Sequence, residues 1–231
     1  EVILFCGVHF MAETAKIVNP SKTVLIPDVT AGCSLAEQCP ADQLRAWKQR
    51  HPDHVVVMYI NCSAATKAES DVICTSSNAE RVIRSIPADK PILFGPDKNL
   101  GAHLMKKLGR KMDLWPGACM VHETFSAQKI AAPKAKNPDA KFIAHPECED
   151  HVLLLADYVG STSKLLEFVK ADAGRKYIVG TETGILHTMH KAAPDKELIP
   201  VPYEDRTAAC QGCNSCPHMK KNTVEKIYLA L

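Results

Sequence analysis

Apolar positions along the chain cluster in short β-branched runs. Each run closes on glycine or proline and is followed by a stretch with helical spacing. Residues 2–7 end at Gly7 and lead into an amphipathic stretch over 8–16; residues 91–95 lead from Gly95 into 96–105; residues 176–180 lead from Gly180 into 181–189. Each predicts a strand, a glycine turn and a helix, and the three glycines stand 88 and 85 residues apart. A second strand follows each helix and leads to cysteine: Cys33, then Cys119, then the group Cys210, Cys213 and Cys216.

The second and third units also share a front half. The run 55–59 and its successors Tyr59 and Asn61 match 141–145 with His145 and Glu147. The run from Asp71 to Ser76, Ser77 and Asn78 matches that from Asp157 to Ser161, Thr162 and Ser163. The first unit begins almost at its glycine turn, so a front half of about 40 residues is expected to precede it. The helical pattern over 222–231 is likewise expected to continue.

Strands alternating with helices at this spacing give parallel sheets with helices on their faces. The expected fold is α/β: three pseudo-threefold-related three-layer αβα domains with parallel sheets, the first domain incomplete. The expected division is 1–40 for the remnant of domain one, 41–122 for domain two and 123–216 for domain three. Residues 217–231 form a C-terminal helix returning to domain one. Ligands in such sheets bind beyond the carboxyl ends of the strands, so three rims facing one centre define a single site.

Composition narrows the partners. A net charge of +2 gives no electrostatic case for nucleic acid or an anionic membrane surface. No apolar run approaches the roughly 18–20 residues of a membrane span. The first residues read as a strand, with neither the basic region nor the cleavage site of a signal peptide, and a cytoplasmic location is expected. Ten cysteines in such a chain read as metal or catalytic ligands in preference to disulfides. Cys6, Cys62 and Cys74, in or beside apolar runs, are expected as buried thiols.

Cys33 and Cys119 follow strand-like runs closed by proline and glycine, which suggests one shared metal centre. Three cysteines from three domains would hold a 4Fe–4S cluster and leave one iron open as a Lewis acid. Zinc is the competing reading of the paired cysteines, but His218 alone does not complete a zinc ribbon. Spacing does not select among Cys210, Cys213 and Cys216, which lie 30, 33 and 36 residues after Gly180, against 26 and 24 in the first two units. The two Ser/Thr turns begin helices, where hydroxyls and free N–H groups suit phosphate or carboxylate as well as a simple N-cap. Tyr59 with Asn61, and His145 with Glu147, stand two apart at strand ends and share a direction. With His122 they supply candidate acids and bases. His51, His54, His151 and His190 are expected at the surface, and Trp47 and Trp115 in packing.

Taken together, these residues resemble the quinolinate synthase family, iron–sulfur enzymes of NAD biosynthesis. The matches run in order from Gly7, His9 and Glu13 through Gly32 and Cys33, Tyr59 and Asn61, and Cys74 to Asn78. They continue through Gly117, Cys119 and His122, His145 to Cys148, Ser161 to Ser163, Thr181 to Gly184, and Cys210 to Met219. The resemblance implies a 4Fe–4S cluster held by Cys33, Cys119 and Cys216, with Cys210 and Cys213 a redox pair. It implies condensation of iminoaspartate with dihydroxyacetone phosphate to quinolinate, losing phosphate and two waters, with the open iron assisting dehydration. Glu147 and His145 would handle protons beside Tyr59, while Asn61, Ser76, His122, Ser161 and Thr162 would hold carboxylates and phosphate. The implied partner is an L-aspartate oxidase or aspartate dehydrogenase supplying iminoaspartate. The family's His-x-Tyr strand end and Ser turn of domain one have no counterpart in these residues. Two rival readings are a diphthamide-synthesis-like cluster enzyme and a non-catalytic iron–sulfur or thiol redox sensor.

Overall fold

The apolar run Val55–Tyr59 has no polar alternation and forms a strand covered on both faces. The computed structural model describes residues 1–202 and 214–231. The elements begin with β1 (Val2–Leu4), α1 (His9–Val18), β2 (Thr23–Leu25), α2 (Ser34–Glu37) and α3 (Ala41–Arg50). They continue with β3 (Val55–Tyr59), α4 (Ala64–Ala68), β4 (Val72–Cys74), α5 (Ala79–Ser85), β5 (Ile92–Gly95), α6 (Lys98–Leu108) and β6 (Asp113–Leu114). After α7 (Ala127–Lys136) come β7 (Lys141–Ala144), α8 (Asp150–Leu153), β8 (Tyr158–Val159), α9 (Thr162–Ala171), β9 (Lys176–Gly180), α10 (Gly184–Ala192), β10 (Glu197–Pro200) and α11 (Val224–Ala230).

The strands form three parallel sheets, ordered β1-β2, β4-β3-β5-β6 and β8-β7-β9-β10. The two four-stranded sheets have one topology, and β1-β2 corresponds to the β5-β6 and β9-β10 halves. Alternate strand residues feed opposite faces. In the middle sheet Val57, Tyr59 and Phe94 pack with Ile83, Leu100 and Leu104. Val56, Met58 and Leu93 pack on the other side with Leu44, Cys62 and Trp115. The third sheet repeats this, Phe142, Ala144 and Ile178 on one face and Ile143, Tyr177 and Val179 on the other. Both are therefore three-layer αβα arrangements.

Polar detail repeats too. The Asp71 carboxylate accepts the Val56 N–H at 2.8 Å, and Asp157 accepts that of Phe142 at 2.7 Å. Lysines 23 residues upstream, Lys48 and Lys134, pair with these aspartates. Gly95 is required by close approach: a Cβ there would lie 2.8 Å from Trp115 Cβ and 2.9 Å from Met58 Cε. The C-terminal segment contacts the first sheet's loops through Asn222 Nδ2 on Gly7 O at 3.0 Å, Lys221 Nζ on Thr30 O at 2.7 Å and a Lys226–Asp28 ion pair.

Cys62 and Cys74 are buried thiols, whereas Cys6 is exposed because β1 ends at Leu4 and the chain turns outward before Gly7. His151 and His190 are exposed as expected. His51 and His54 are instead half-buried. His51 stacks on Trp47 with ring centroids 3.9 Å apart, and His54 bonds Asp113 at 2.8 Å. Trp47 and Trp115 are packing residues.

Phe94, fully buried in the middle sheet, is expected to dominate that domain's stability. Truncation in Phe94→Ala should cost about 3–5 kcal/mol, read as a lower urea midpoint. Arg84→Ala removes only an exposed pair with Glu80 and should shift stability by less than about 1 kcal/mol.

Candidate active site

The strand ends of the second and third sheets, with the loops after β2 and before α11, line a half-open cavity of about 290 Å³. Cys33, Cys119 and Cys216 all line it, from three separate stretches of chain. Each begins a helical turn: Cys33 precedes α2, Cys119 a short 3-10 turn at His122–Thr124, and Cys216 another at Met219–Lys221. Each sulfur consequently receives two backbone N–H groups, from the residues two and three positions on. These are Leu35 and Ala36, Val121 and His122, and His218 and Met219. Helix starts leave such N–H groups free. Cys210 and Cys213 lie outside the described residues.

Beside Cys119 sits a buried polar network centred on Glu147. It takes the Tyr59 O–H at 2.7 Å on Oε1, while Oε2 lies 3.2 Å from His122 Nδ1, close but off the hydrogen-bond angle. The Asn99 side-chain amide donates to the Glu147 main-chain oxygen at 3.2 Å. Tyr59 ends β3, Asn99 lies on α6 and His122 follows β6, whereas Glu147 follows β7, so the network joins the second and third sheets. Its own N–H donates to His145 Nδ1 at 3.3 Å. That nitrogen must then present a lone pair, so the neutral His145 ring carries its proton on Nε2.

Burial pushes His145 down to about 4, against the Glu147 charge that favours its protonation. At neutral pH it is an uncharged donor. For Glu147 burial acts upward, but His145, His122 and the Tyr59 hydroxyl together hold it below the usual carboxylate range. Burial, then the Glu147 charge, drives Tyr59 well above its ordinary value, so it remains a hydroxyl. Burial also raises all three cavity thiols, Cys33 to about 11, while the N–H groups oppose it.

Asn61, Ser76 and Thr162 also line the cavity. Asn78 occupies the N-cap position of α5, but its side-chain oxygen turns back to the Thr75 N–H at 2.6 Å, leaving Ser76 on the wall. Ser161 differs from expectation: it is not on the cavity wall, and its hydroxyl caps α9 by accepting the Lys164 N–H. Its neighbour Thr162 takes the wall position. Residues with no role assigned from sequence also appear there: Thr181, whose Oγ1 lies 3.0 Å from His122 Nε2, and Glu182, which accepts the Cys216 N–H at 3.1 Å. Both follow Gly180 as Asp97 follows Gly95, and strand-end position was the available signal. Asp97 is buried, raised to about 8 by burial and then by Glu147, and accepts the Leu100 N–H at 2.7 Å.

The donor set fits a metal centre. Three thiols line one wall with N–H groups placed to stabilise thiolates, and Cys119 Sγ, a His122 nitrogen and a Glu147 oxygen lie within 4.8 Å of one another. No helix among the described residues is long and apolar enough to cross a membrane.

Comparison with known proteins agrees with this chemistry. The family described as Quinolinate synthetase A protein matches residues 1–231. A quinolinate synthase of Prochlorococcus marinus (strain MIT 9303) is 57% identical over 231 residues, all of this chain and 68% of that protein. One from Synechococcus sp. (strain ATCC 27144) is 54% identical and one from Synechocystis sp. (strain ATCC 27184) 53%, each over the whole chain and 71% of its own length. The chain, with three cysteines and a buried Glu–Tyr–His network on one cavity, belongs to the quinolinate synthase family.

Proposed function

We propose that this cavity is the site at which iminoaspartate and dihydroxyacetone phosphate condense to quinolinate, in NAD biosynthesis, with loss of phosphate and two waters. The observation that carries the reading is the meeting of Cys33, Cys119 and Cys216 with the Glu147 network on one cavity. The atoms balance. A C–C bond forms as the phosphate ester leaves, a C–N bond closes the ring, and two dehydrations give the aromatic product. We also propose the division 1–40, 41–122, 123–216 and 217–231, supported by the three sheets and the contacts of Asn222, Lys221 and Lys226 with the first unit.

Cys33, Cys119 and Cys216 would hold a 4Fe–4S cluster, and their arrival from three separate stretches of chain supports that assignment over a local zinc ribbon. When bound, the cluster supplies an electrophilic iron with an open position. The protein's own residues divide the remaining work. Asn61, Ser76 and Thr162 offer neutral donors for carboxylate and phosphate oxygens. His145, uncharged and protonated on Nε2, donates a hydrogen bond to an oxygen or nitrogen of the condensing substrates. Glu147 takes up protons as the dehydrations proceed, and Tyr59, bonded to it at 2.7 Å, shuttles them. Ser161, on this reading, acts through α9 by holding Thr162 in place. Iminoaspartate would come from an L-aspartate oxidase or aspartate dehydrogenase.

Anaerobic reconstitution should give about four irons and four sulfides per chain, lost in Cys33→Ser, Cys119→Ser and Cys216→Ser alike. Iron kept after Cys33 or Cys119 is replaced would remove the shared centre. Glu147→Gln and Tyr59→Phe should keep the iron and lower quinolinate formation by about 10²–10⁴-fold. An unchanged rate would leave the cavity a redox or iron-sensing site. In the metal-free protein His145 should stay neutral through pH 6.5 and titrate near 4. Its folded value lies below the unfolded one, so the unfolded chain binds more protons between those values. Stability therefore falls as pH drops from about 6.5 toward 4. A proton NMR midpoint near the ordinary value would show a solvated ring and end its assignment as a neutral donor.

A further inference from the structure

Thr181 has no place in the chemistry above, yet it is a buried polar side chain on the cavity wall, 3 % exposed. Its Oγ1 lies 3.0 Å from His122 Nε2. The other ring nitrogen, Nδ1, faces Glu147 Oε2 at 3.2 Å, and the second oxygen, Oε1, already receives the Tyr59 hydroxyl. The contact lies off the hydrogen-bond angle, but a carboxylate oxygen 3.2 Å away repels a lone pair on Nδ1 and favours an N–H there, which assigns the ring proton to Nδ1. A neutral imidazole has a single N–H. If it stands on Nδ1, Nε2 is an acceptor and needs a donor, and the Thr181 hydroxyl supplies one. Nothing else is recorded as bonding Nε2 among the described residues.

We infer that Thr181 is a positioning residue whose hydroxyl donates to His122 Nε2 and so fixes the Nδ1–H tautomer that faces Glu147. The consequence is a division between two histidines on the same carboxylate. His145 accepts the Glu147 N–H on Nδ1 and keeps its proton on Nε2. His122 does the reverse. The two rings lie 5.2 Å apart, and swapping either tautomer would turn a lone pair toward Glu147 or strand its N–H. Thr181 sets this from the first position after β9, where the strand end leaves no freedom to the backbone, and a threonine χ1 has few wells to choose from.

The inference rests on the cavity being the catalytic site only for its kinetic consequence; its direct readout does not involve activity. In the metal-free full chain with ¹⁵N-labelled histidine, long-range ¹⁵N–¹H spectra report which ring nitrogen is protonated. His122 is assigned by the signal missing in His122→Gln. The wild type should show protonated Nδ1 and bare Nε2. Thr181→Val, which keeps the shape and removes the donor, should lose that preference, and Thr181→Ser should restore it. In the cluster-loaded chain Thr181→Val should lower kcat by about tenfold with KM changed by less than about twofold, and Thr181→Ser should recover most of it. A wild-type His122 protonated on Nε2, or a preference unchanged in Thr181→Val, overturns the inference. The expected tautomers in a chain whose loaded form makes no quinolinate would uphold it and count against the proposed reaction alone.

Discussion

A carboxylate can be sealed inside a protein only if its charge is matched by donors, because desolvating it unpaired costs more than a domain's whole stability margin. Glu147 is such a group. Its partners Tyr59, His122 and Asn99 come from the second sheet's unit, while its main chain belongs to the third. Docking the two units and building the site are consequently one event. Separated, the third unit would hold a half-buried acid without donors, and the second a tyrosine and histidine without an acceptor. The peripheral Lys98–Glu123 and Lys106–Asp150 pairs lie in this part of the molecule, but they are solvent-exposed and add little. The buried network fixes the geometry.

The repeated topology explains how so many groups meet. In the two four-stranded sheets one inner strand ends at Tyr59, two residues before Asn61, or at Ala144, just before His145 and Glu147, and the last residue of the other is Gly95 or Gly180. Side chains leaving parallel strands at the carboxyl end share a rim. The cysteines arrive by a different device: each stands one to three residues before a helical turn, and the N–H groups two and three positions on favour its thiolate. Two unrelated pieces of backbone physics, strand ends and helix starts, thus meet on one cavity.

Much of this was legible in the sequence because it rests on local signals. The β-branched runs, the glycines after them and the cysteines at the second strand's exit point to parallel sheets with helices on their faces and to cysteines sharing one cavity. Tyr59, Asn61, Ser76, His122, His145, Glu147 and Thr162 all reach the cavity. What escaped depends on contacts that no local period encodes. Thr181 reads as one more β-branched residue after a strand, and only its partner His122, 59 positions away, gives it a meaning. Ser161 and Thr162 are indistinguishable as turn residues, and the helix start decides which hydroxyl caps and which faces inward. Cys6 sits in an apolar run like Cys62, but a two-stranded sheet gives it no cover. His54 has polar neighbours in sequence and an aromatic and an aspartate in space.

The electrostatics of the cavity constrain what can occupy it. Burial raises Cys33, Cys119 and Cys216, and Glu147 adds to the rise at the first two. The chain alone therefore holds neutral thiols at neutral pH, and a thiolate-bound metal must displace protons to enter, so its affinity grows with pH. Neither lysine nor arginine is found on the wall among the described residues. Among the donors that the wall does offer are the amide of Asn61, the hydroxyls of Ser76 and Thr162, and the Nε2–H of His145. Such donors are weaker than a cation in water but gain strength in buried surroundings, provided they are already oriented. The tautomers of the two histidines are part of that orientation: a single misplaced proton would present a lone pair where an anion needs a donor.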